Sequence, residues 1–263
     1  MSSIELKNDL YRLVNADEPD EQMIAEQLVE INREFEHSSP EEVLQWAWSQ
    51  FGNGMVLGTG FGPSGVWLID RLSRMKLPVT VFYLDTQLLF RETYKLRDDL
   101  ESRYDLSIVR VTPELSVEEQ AEQFGDELWN RNPNRCCFVR KVLPLRNYLR
   151  DKSAWITGVR RSQSSSRRDT PLFEWDPANG VVKINPLVNW SREQIWQEIT
   201  YLDIPYNPLH DEGFPSIGCI PCTQPADVKD EEEERAGRWK NLDKTECGIH
   251  ISSQKFRNGS GSA

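Results

Sequence analysis

The sequence predicts an α/β fold, a mostly parallel open sheet flanked by helices. Short apolar runs rich in Val, Ile and Leu alternate with longer segments whose apolar residues recur at helical spacing. Several runs end in Gly/Ser/Thr, acidic or arginine-rich stretches, and ligands of open α/β sheets bind at that carboxyl edge. With 263 residues, 38% of them hydrophobic and 28% charged, the chain is long enough to bury one large α/β core or two small ones.

Residues 3–35 read as amphipathic helices, with Leu6, Leu10 and Leu13, then Met23, Ile24, Leu28 and Ile31, on apolar faces. Ser39-Pro40-Glu41-Glu42 opens the next helix with a capping hydroxyl, a first-turn proline and acids at the positive end of the dipole. That helix carries Val43, Leu44, Trp46, Ala47 and Trp48 and stops before Gly52. Met55 to Thr59 is a short buried strand that runs into Gly60-Phe61-Gly62-Pro63-Ser64-Gly65 and an apolar helix from Val66 to Leu72. Strand, Gly/Ser/Thr loop and helix N-terminus together make an anion cradle of backbone N–H groups, although a plain tight turn uses the same glycines. The loop has neither the Lys-Ser/Thr of a Walker A motif nor Rossmann spacing.

Pro78 to Thr86 is the second strand, ending in an acid and a hydroxyl. A helix from about Leu89 to Tyr104 leads to a third strand, Leu106 to Val111. Glu118 to Trp129 reads as helix, Asn132-Pro133-Asn134 as a break, and Val139 to Arg150 as a helix with Pro144 at a start or kink. Ala154 to Val159 is the fourth strand. It runs into Arg160-Arg161-Ser162-Gln163-Ser164-Ser165-Ser166-Arg167-Arg168, four arginines in nine residues of an otherwise acidic chain. Such a run is either a solvated loop or a clamp for phosphate or sulfate oxygens, which guanidinium groups pair with bidentately. Val181 to Pro186 is the fifth strand, and Ser191 caps the helix through Ile195 and Ile199. The acid run Asp230 to Glu234, the segment Arg235-Ala236-Gly237-Arg238-Trp239 and a linker-like end, Asn258 to Ala263, follow.

A net charge of −11 argues against nonspecific binding to nucleic acid or to a membrane surface, and no apolar run approaches the roughly 20 residues of a membrane span. No secretory signal opens the sequence, so a cytoplasmic location with reduced thiols is expected.

Five cysteines organise the chemistry. Cys136 and Cys137 are adjacent, Cys219 and Cys222 form a CxxC, and Cys247 stands apart in Glu246-Cys247-Gly248-Ile249-His250. Two pairs suggest a thiolate-held metal centre, and the fifth thiol suggests a nucleophile. Adjacent cysteines fit awkwardly on one small ion but reach separate corners of a cubane, which favours an iron–sulfur cluster over zinc or metal-free thiols. His250, three residues beyond Cys247, is a candidate site residue, whereas His37 and His210 read as structural or surface groups.

The double cysteine with the CxxC, the strand end Leu84-Asp85-Thr86 and the Glu-Cys-Gly-Ile-His segment resemble the assimilatory sulfonucleotide reductases over about residues 40 to 252. More narrowly they resemble the adenylylsulfate (APS) reductase branch, which carries one 4Fe-4S cluster, rather than the phosphoadenylylsulfate (PAPS) branch, which generally lacks both pairs. The resemblance implies an adenine-nucleotide α-hydrolase-like fold. It implies an α/β nucleotide- and cluster-binding domain at 1–229, helical over residues 1–50, and a mobile tail at 230–263 that carries the catalytic cysteine. By the same resemblance Cys247 is the nucleophile and Cys136, Cys137, Cys219 and Cys222 hold the cluster, with Lys141 between cluster and substrate. Thr59, Gly60, Gly62, Ser64, Leu84, Asp85, Thr86, Arg160, Arg161, Arg235 and Arg238 then bind the nucleotide and its sulfate.

The implied reaction reduces APS to sulfite and AMP through a cysteine S-sulfonate, with thioredoxin or a glutaredoxin-like dithiol as partner. In this reading the cluster shapes the local field and is not the electron donor. No nucleic acid or membrane partner is implied, and self-association into a homo-oligomer is compatible with it. Two positions depart from the APS pattern: the loop Gly60 to Ser64 is closer to the PAPS type, and Gln87 stands where a glycine usually follows Leu-Asp-Thr. A PAPS or dual-specificity reductase is therefore the alternative substrate reading, and a non-catalytic zinc module the remote one. An ATP pyrophosphatase of the same fold would need a Ser-Gly-Gly-x-Asp-Ser loop, which the sequence lacks.

Overall fold

The computed structural model describes residues 10–227, 234–240, 244 and 246–250; Leu6, most of the acid run and the Gly/Ser-rich end lie outside the described residues. Helix starts follow local capping chemistry. Helix α1 (Glu21–Phe35) is capped by Asp20, whose side chain accepts from the Met23 amide at 3.0 Å. Helix α2 (Pro40–Phe51) has the reciprocal Ser39/Glu42 capping box, and Gly52 ends it. Strand β1 (Met55–Thr59) then leads through the glycine loop into α3 (Pro63–Arg74).

Strand β2 (Thr80–Leu84), helix α4 (Arg91–Tyr104) and strand β3 (Ile108–Val111) follow as expected, with tighter ends. The single helix expected over 118–129 is two: α5 (Val117–Phe124) and α6 (Leu128–Arg131). Gly125, at φ +85°, terminates the first, and a left-handed Glu127 starts the second. Helix α7 (Pro133–Cys137) passes into a π turn, Phe138–Val142, before α8 (Leu143–Leu149). Pro144 cannot donate to the carbonyl four residues back, and the widened turn just before it absorbs the mismatch.

Strand β4 (Ala154–Ile156) is followed by β5 (Phe173–Asp176) and β6 (Val181–Ile184), then helix α9 (Arg192–Tyr201) with a Ser191/Gln194 capping box. Strand β5 adds a sixth strand to the five legible in the sequence. The sheet order is β3-β2-β1-β4-β6-β5, parallel throughout except for the β5–β6 hairpin at one edge.

Side-chain alternation divides the core. Leu57, Val81, Ile156 and Ile184 face a large layer built from α1, α2, α3, α4 and α9, including Ile24, Leu44, Trp67, Leu100 and Ile195. Val56, Phe82 and Trp155 face a smaller layer under Leu145 and Leu149 of α8, and Ile249 of the C-terminal segment packs there too. Strands β1, β2 and β4 therefore end side by side, and their carboxyl ends are the place where loops from the whole chain meet. No helix among the described residues is long and apolar enough to cross a membrane.

Candidate active site

The four paired cysteines converge. Asn132 caps α7 through the Arg135 amide and Pro133 fixes its first turn, which delivers Cys136 and Cys137 at the helix end. On the opposite wall, Cys219 starts a 3₁₀ turn, Ile220–Cys222. It is pinned by the Ile220 amide on the Leu88 carbonyl and by the Thr223 hydroxyl on the Cys219 carbonyl, at 2.8 and 2.9 Å. All four thiols are buried and unoxidised, and they line one small pocket together with Arg140 and Lys141. Burial and the neighbouring thiols push Cys136 up to about 12 and Cys222 to about 11. At Cys219 burial also opposes ionisation, but Lys141, the Thr86 hydroxyl 3.2 Å from Sγ, and Arg238 outweigh it and lower the value. Burial likewise opposes the charge on Lys141, and its interactions with the sulfurs of Cys219, Cys137 and Cys247 more than compensate, so Lys141 stays a cation. Among the described residues, no group of three or more His, Cys, Asp or Glu side chains stands where it could hold a metal ion.

Cys247 joins this group. It packs with Cys137, Cys219, Cys222 and Trp239 and is 9% exposed. Cys247 is thus a covered thiol, because the described part of the C-terminal segment is stitched to the body. The Gln224 amide bonds to the Gly237 carbonyl at 2.9 Å, and a side chain at 237 would meet the Gln224 carbonyl at 2.1 Å, so only glycine permits this approach. Arg238 donates to the Cys222 carbonyl at 3.2 Å and lies over the Trp239 ring, 4.6 Å from its centroid. Next to the thiol, Glu246 takes a two-pronged contact from Arg167, 2.9 Å on each oxygen, and a second cation, Arg235, at 3.3 Å. Burial raises the Glu246 pKa, but these arginines outweigh it and hold the carboxyl below its ordinary value. Burial and the neighbouring Arg167 lower Arg235 to about 10, with Glu246 acting the other way, so it too is charged at neutral pH.

At the strand ends, the Phe61 amide turns back onto the Thr59 hydroxyl at 2.9 Å, and Gly62 caps α3 without a side chain. Ser64, in the first turn of α3, accepts from Arg160 at 3.1 Å. Arg160 is itself buried and meets Glu234 at 2.5 Å. The α3 N-terminus and a buried guanidinium therefore share one spot, a setting for an anion. Asp85 is fully enclosed by Arg110 and the Tyr94 hydroxyl at 2.6 Å each and by the Gln87 amide at 2.8 Å. It anchors the loop after β2, while Thr86 touches the cysteine pocket and Leu84 packs against the smaller core layer.

Most candidate residues are thus neighbours, with two exceptions. Arg161 reaches away from Arg160 and binds Glu36 at 3.0 Å, the Thr170 carbonyl at 2.8 Å, and Asn189. His250 stacks on Trp155 of β4, centroids 5.4 Å apart and planes 13° off parallel, and burial beside Lys183, Arg167 and Arg235 lowers its pKa well below the ordinary imidazole value. Sequence reasoning passes over three participants, Arg140, Glu234 and Trp239, and meets a fourth, Arg167, only as a member of the arginine run. Arg167 lies within the arginine run and Arg140 one residue before Lys141, so composition points near them; their burial is a product of tertiary packing.

Residues 54–225 match the phosphoadenosine phosphosulfate reductase domain. The chain is 54% identical over 227 residues to the adenosine 5'-phosphosulfate reductase of Salinibacter ruber, covering 86% of this chain and 90% of that one. It is 43% identical over 231 residues to the protein of the same name from Halalkalibacterium halodurans, covering 88% and 99%. Among solved structures, a phosphate complex of phosphoadenylyl-sulfate (PAPS) reductase from Candida auris superposes with a TM-score of 0.68 at 34% identity, covering 76% of this chain and 97% of that one.

Proposed function

Because the chain belongs to the phosphoadenosine phosphosulfate reductase domain family, we propose that it reduces adenosine 5'-phosphosulfate to sulfite and AMP, with electrons from a thioredoxin-like dithiol. The observation that carries this reading is Cys247, packed against the paired cysteines within reach of the fields of Lys141 and Arg235. Its thiolate attacks the sulfate sulfur of APS. The bond from that sulfur to the bridging phosphate oxygen breaks, AMP leaves with the electron pair, and Cys247 carries a sulfonate. A dithiol then attacks the Cys247 sulfur and sulfite departs; a mixed disulfide forms, and the second thiol of the reductant resolves it. Sulfur passes from the sulfate to the sulfite level while one dithiol becomes a disulfide, so electrons balance.

The substrate is an anion attacked by an anion, and cations must lower that barrier. Arg160 and the N-terminus of α3 suit the nucleotide phosphate, and Lys141, Arg235 and Arg238 suit the sulfuryl oxygens. Glu246, locked on Arg167 and Arg235, sets the backbone beside the nucleophile. Cys136, Cys137, Cys219 and Cys222 suit a 4Fe-4S cluster: four soft donors from two segments line one pocket. A cluster bound there would supply a fixed local charge and hold the two cysteine segments together.

Cys247 also has to become accessible to a protein reductant, and it is covered here by Trp239 and Ile249. Movement of the C-terminal segment 230–263 between the two half-reactions meets that need. PAPS is the second reading, favoured by the form of the Gly60-to-Ser64 loop; comparing turnover of APS and PAPS with reduced thioredoxin decides between them. A kcat/KM higher for PAPS would overturn the first reading.

The two adjacent arginines are expected to separate experimentally. Arg160→Ala should cost about 1.5–3 kcal/mol in kcat/KM, the scale of a charge-assisted hydrogen bond to substrate. Arg161→Ala should lower the melting temperature through loss of its Glu36, Asn189 and Thr170 contacts while kcat/KM stays near the wild-type value. Kinetics and melts of both variants check this, and equal loss of kcat/KM in the two would restore Arg161 to the clamp.

A further inference from the structure

Arg140, three residues after the double cysteine, is 1% exposed. A guanidinium so placed is costly unless its charge meets an anion. Its hydrogen-bond partners are all neutral: the Thr86 carbonyl at 2.7 Å, Gln87 Oε1 at 2.8 Å, Gln120 Oε1 at 3.2 Å, and the Ser116 and Leu115 carbonyls at 3.3 and 3.5 Å. No ion pair to Arg140 occurs among the described residues, whereas Arg160, Arg167 and Arg110 each meet a carboxylate. The charge of Arg140 is therefore oriented without a directly paired carboxylate, the sulfurs of Cys136 and Cys219 acting on it ahead of the more distant Asp85 and Glu118, and it lines the same pocket as the four paired thiols.

Gln87 is the unusual member of this set. Its φ is +59°, a backbone setting that favours glycine, yet it bears a long amide side chain. The Asp85 carboxylate pins the Gln87 backbone N–H, and that carboxylate is itself fixed by Arg110 and Tyr94. From this pinned position the side-chain oxygen meets Arg140 Nη2. A glutamate of the same length would make the same contact and neutralise the cation. The amide makes it and leaves the charge in place.

We infer that Gln87 is a positioning residue for the cysteine pocket: with Gln120, it holds Arg140 as an uncancelled counter-cation to the thiolates that bind the cluster. The inference rests on the cluster reading above and concerns groups behind the thiols, whose effect on a bound metal is commonly about 10–100-fold in retention. It is tested on purified, iron-loaded enzyme by iron release to a chelator, by the cluster's reduction potential and by thermal melting. Gln87→Glu is expected to melt near the wild-type temperature, to release iron about tenfold or more faster, and to shift the potential to more negative values. Gln87→Gly, which relieves the left-handed backbone and removes the acceptor, is expected to melt no lower than wild type yet release iron faster. Wild-type iron release and potential in both variants would overturn the inference, as would a lowered melting temperature as their only change, the mark of a purely structural tie. A colourless wild-type protein would remove the cluster reading and this inference together; a brown wild type with unaffected variants would remove this inference alone.

Discussion

Cys247→Ser is expected to fold, keep its cluster colour, bind nucleotide and release no sulfite. The thiol packs against Cys137, Cys219, Cys222 and Trp239 but is not one of the two pairs, so its loss leaves the four donors intact. An oxygen in place of sulfur is a small change in volume and a large change in chemistry. The hydroxyl is scarcely ionised at neutral pH, and a sulfate ester at serine offers no sulfur for a dithiol to attack. Loss of a covalent nucleophile of this kind costs on the order of 10⁴–10⁶-fold in kcat. Iron content, AMP binding and sulfite release measured on the same preparation separate the roles. Turnover above about a hundredth of wild type would contradict the covalent step.

The second large effect belongs to the pairs. Cys136→Ser and Cys219→Ser are each expected to lose most of the iron and visible absorption, and sulfite production with them. One substitution comes from each wall of the pocket, so a common outcome is specific to a shared centre. The apo pocket explains why partial binding is not expected: burial, with the neighbouring thiols adding to it, pushes Cys136 up to about 12 and Cys222 to about 11. Only a cation that takes all of them as thiolates repays their deprotonation. Buried Cys→Ser changes also introduce unpaired hydroxyls, so melting is measured alongside. A variant that keeps full iron content would remove its cysteine from the ligand set.

What was legible in the sequence was what local chemistry dictates. Capping residues such as Ser39 and Ser191 start their helices, and the Val/Ile runs form the parallel strands, because these effects act within a few residues. The cysteine set was legible since thiols in two spaced pairs have few other uses. Strand β5 was overlooked: Phe173-Glu174-Trp175-Asp176 is short and half polar, and it becomes a strand by pairing with β6, the two joined by a turn at Gly180. Arg160 and Arg161 looked alike, but adjacent residues leaving a strand point to opposite sides, and one enters the anion spot while the other ties Glu36 and Asn189. The covering of Cys247 depends on Trp239, Gly237 and the Glu246–Arg167 pair, contacts between segments far apart in the chain, which no local pattern announces.

The central claim is that Cys247 carries the sulfonate, and intact and peptide mass spectrometry after a single turnover tests it most directly. Wild-type enzyme mixed with APS in the absence of any dithiol is expected to release AMP equal to the active sites and to gain about 80 Da, the mass of a sulfonate on sulfur. The added mass should map to the peptide containing Cys247 and disappear as sulfite when a reduced dithiol is added. No added mass, or an adduct on Cys136, Cys137, Cys219 or Cys222, would contradict the account.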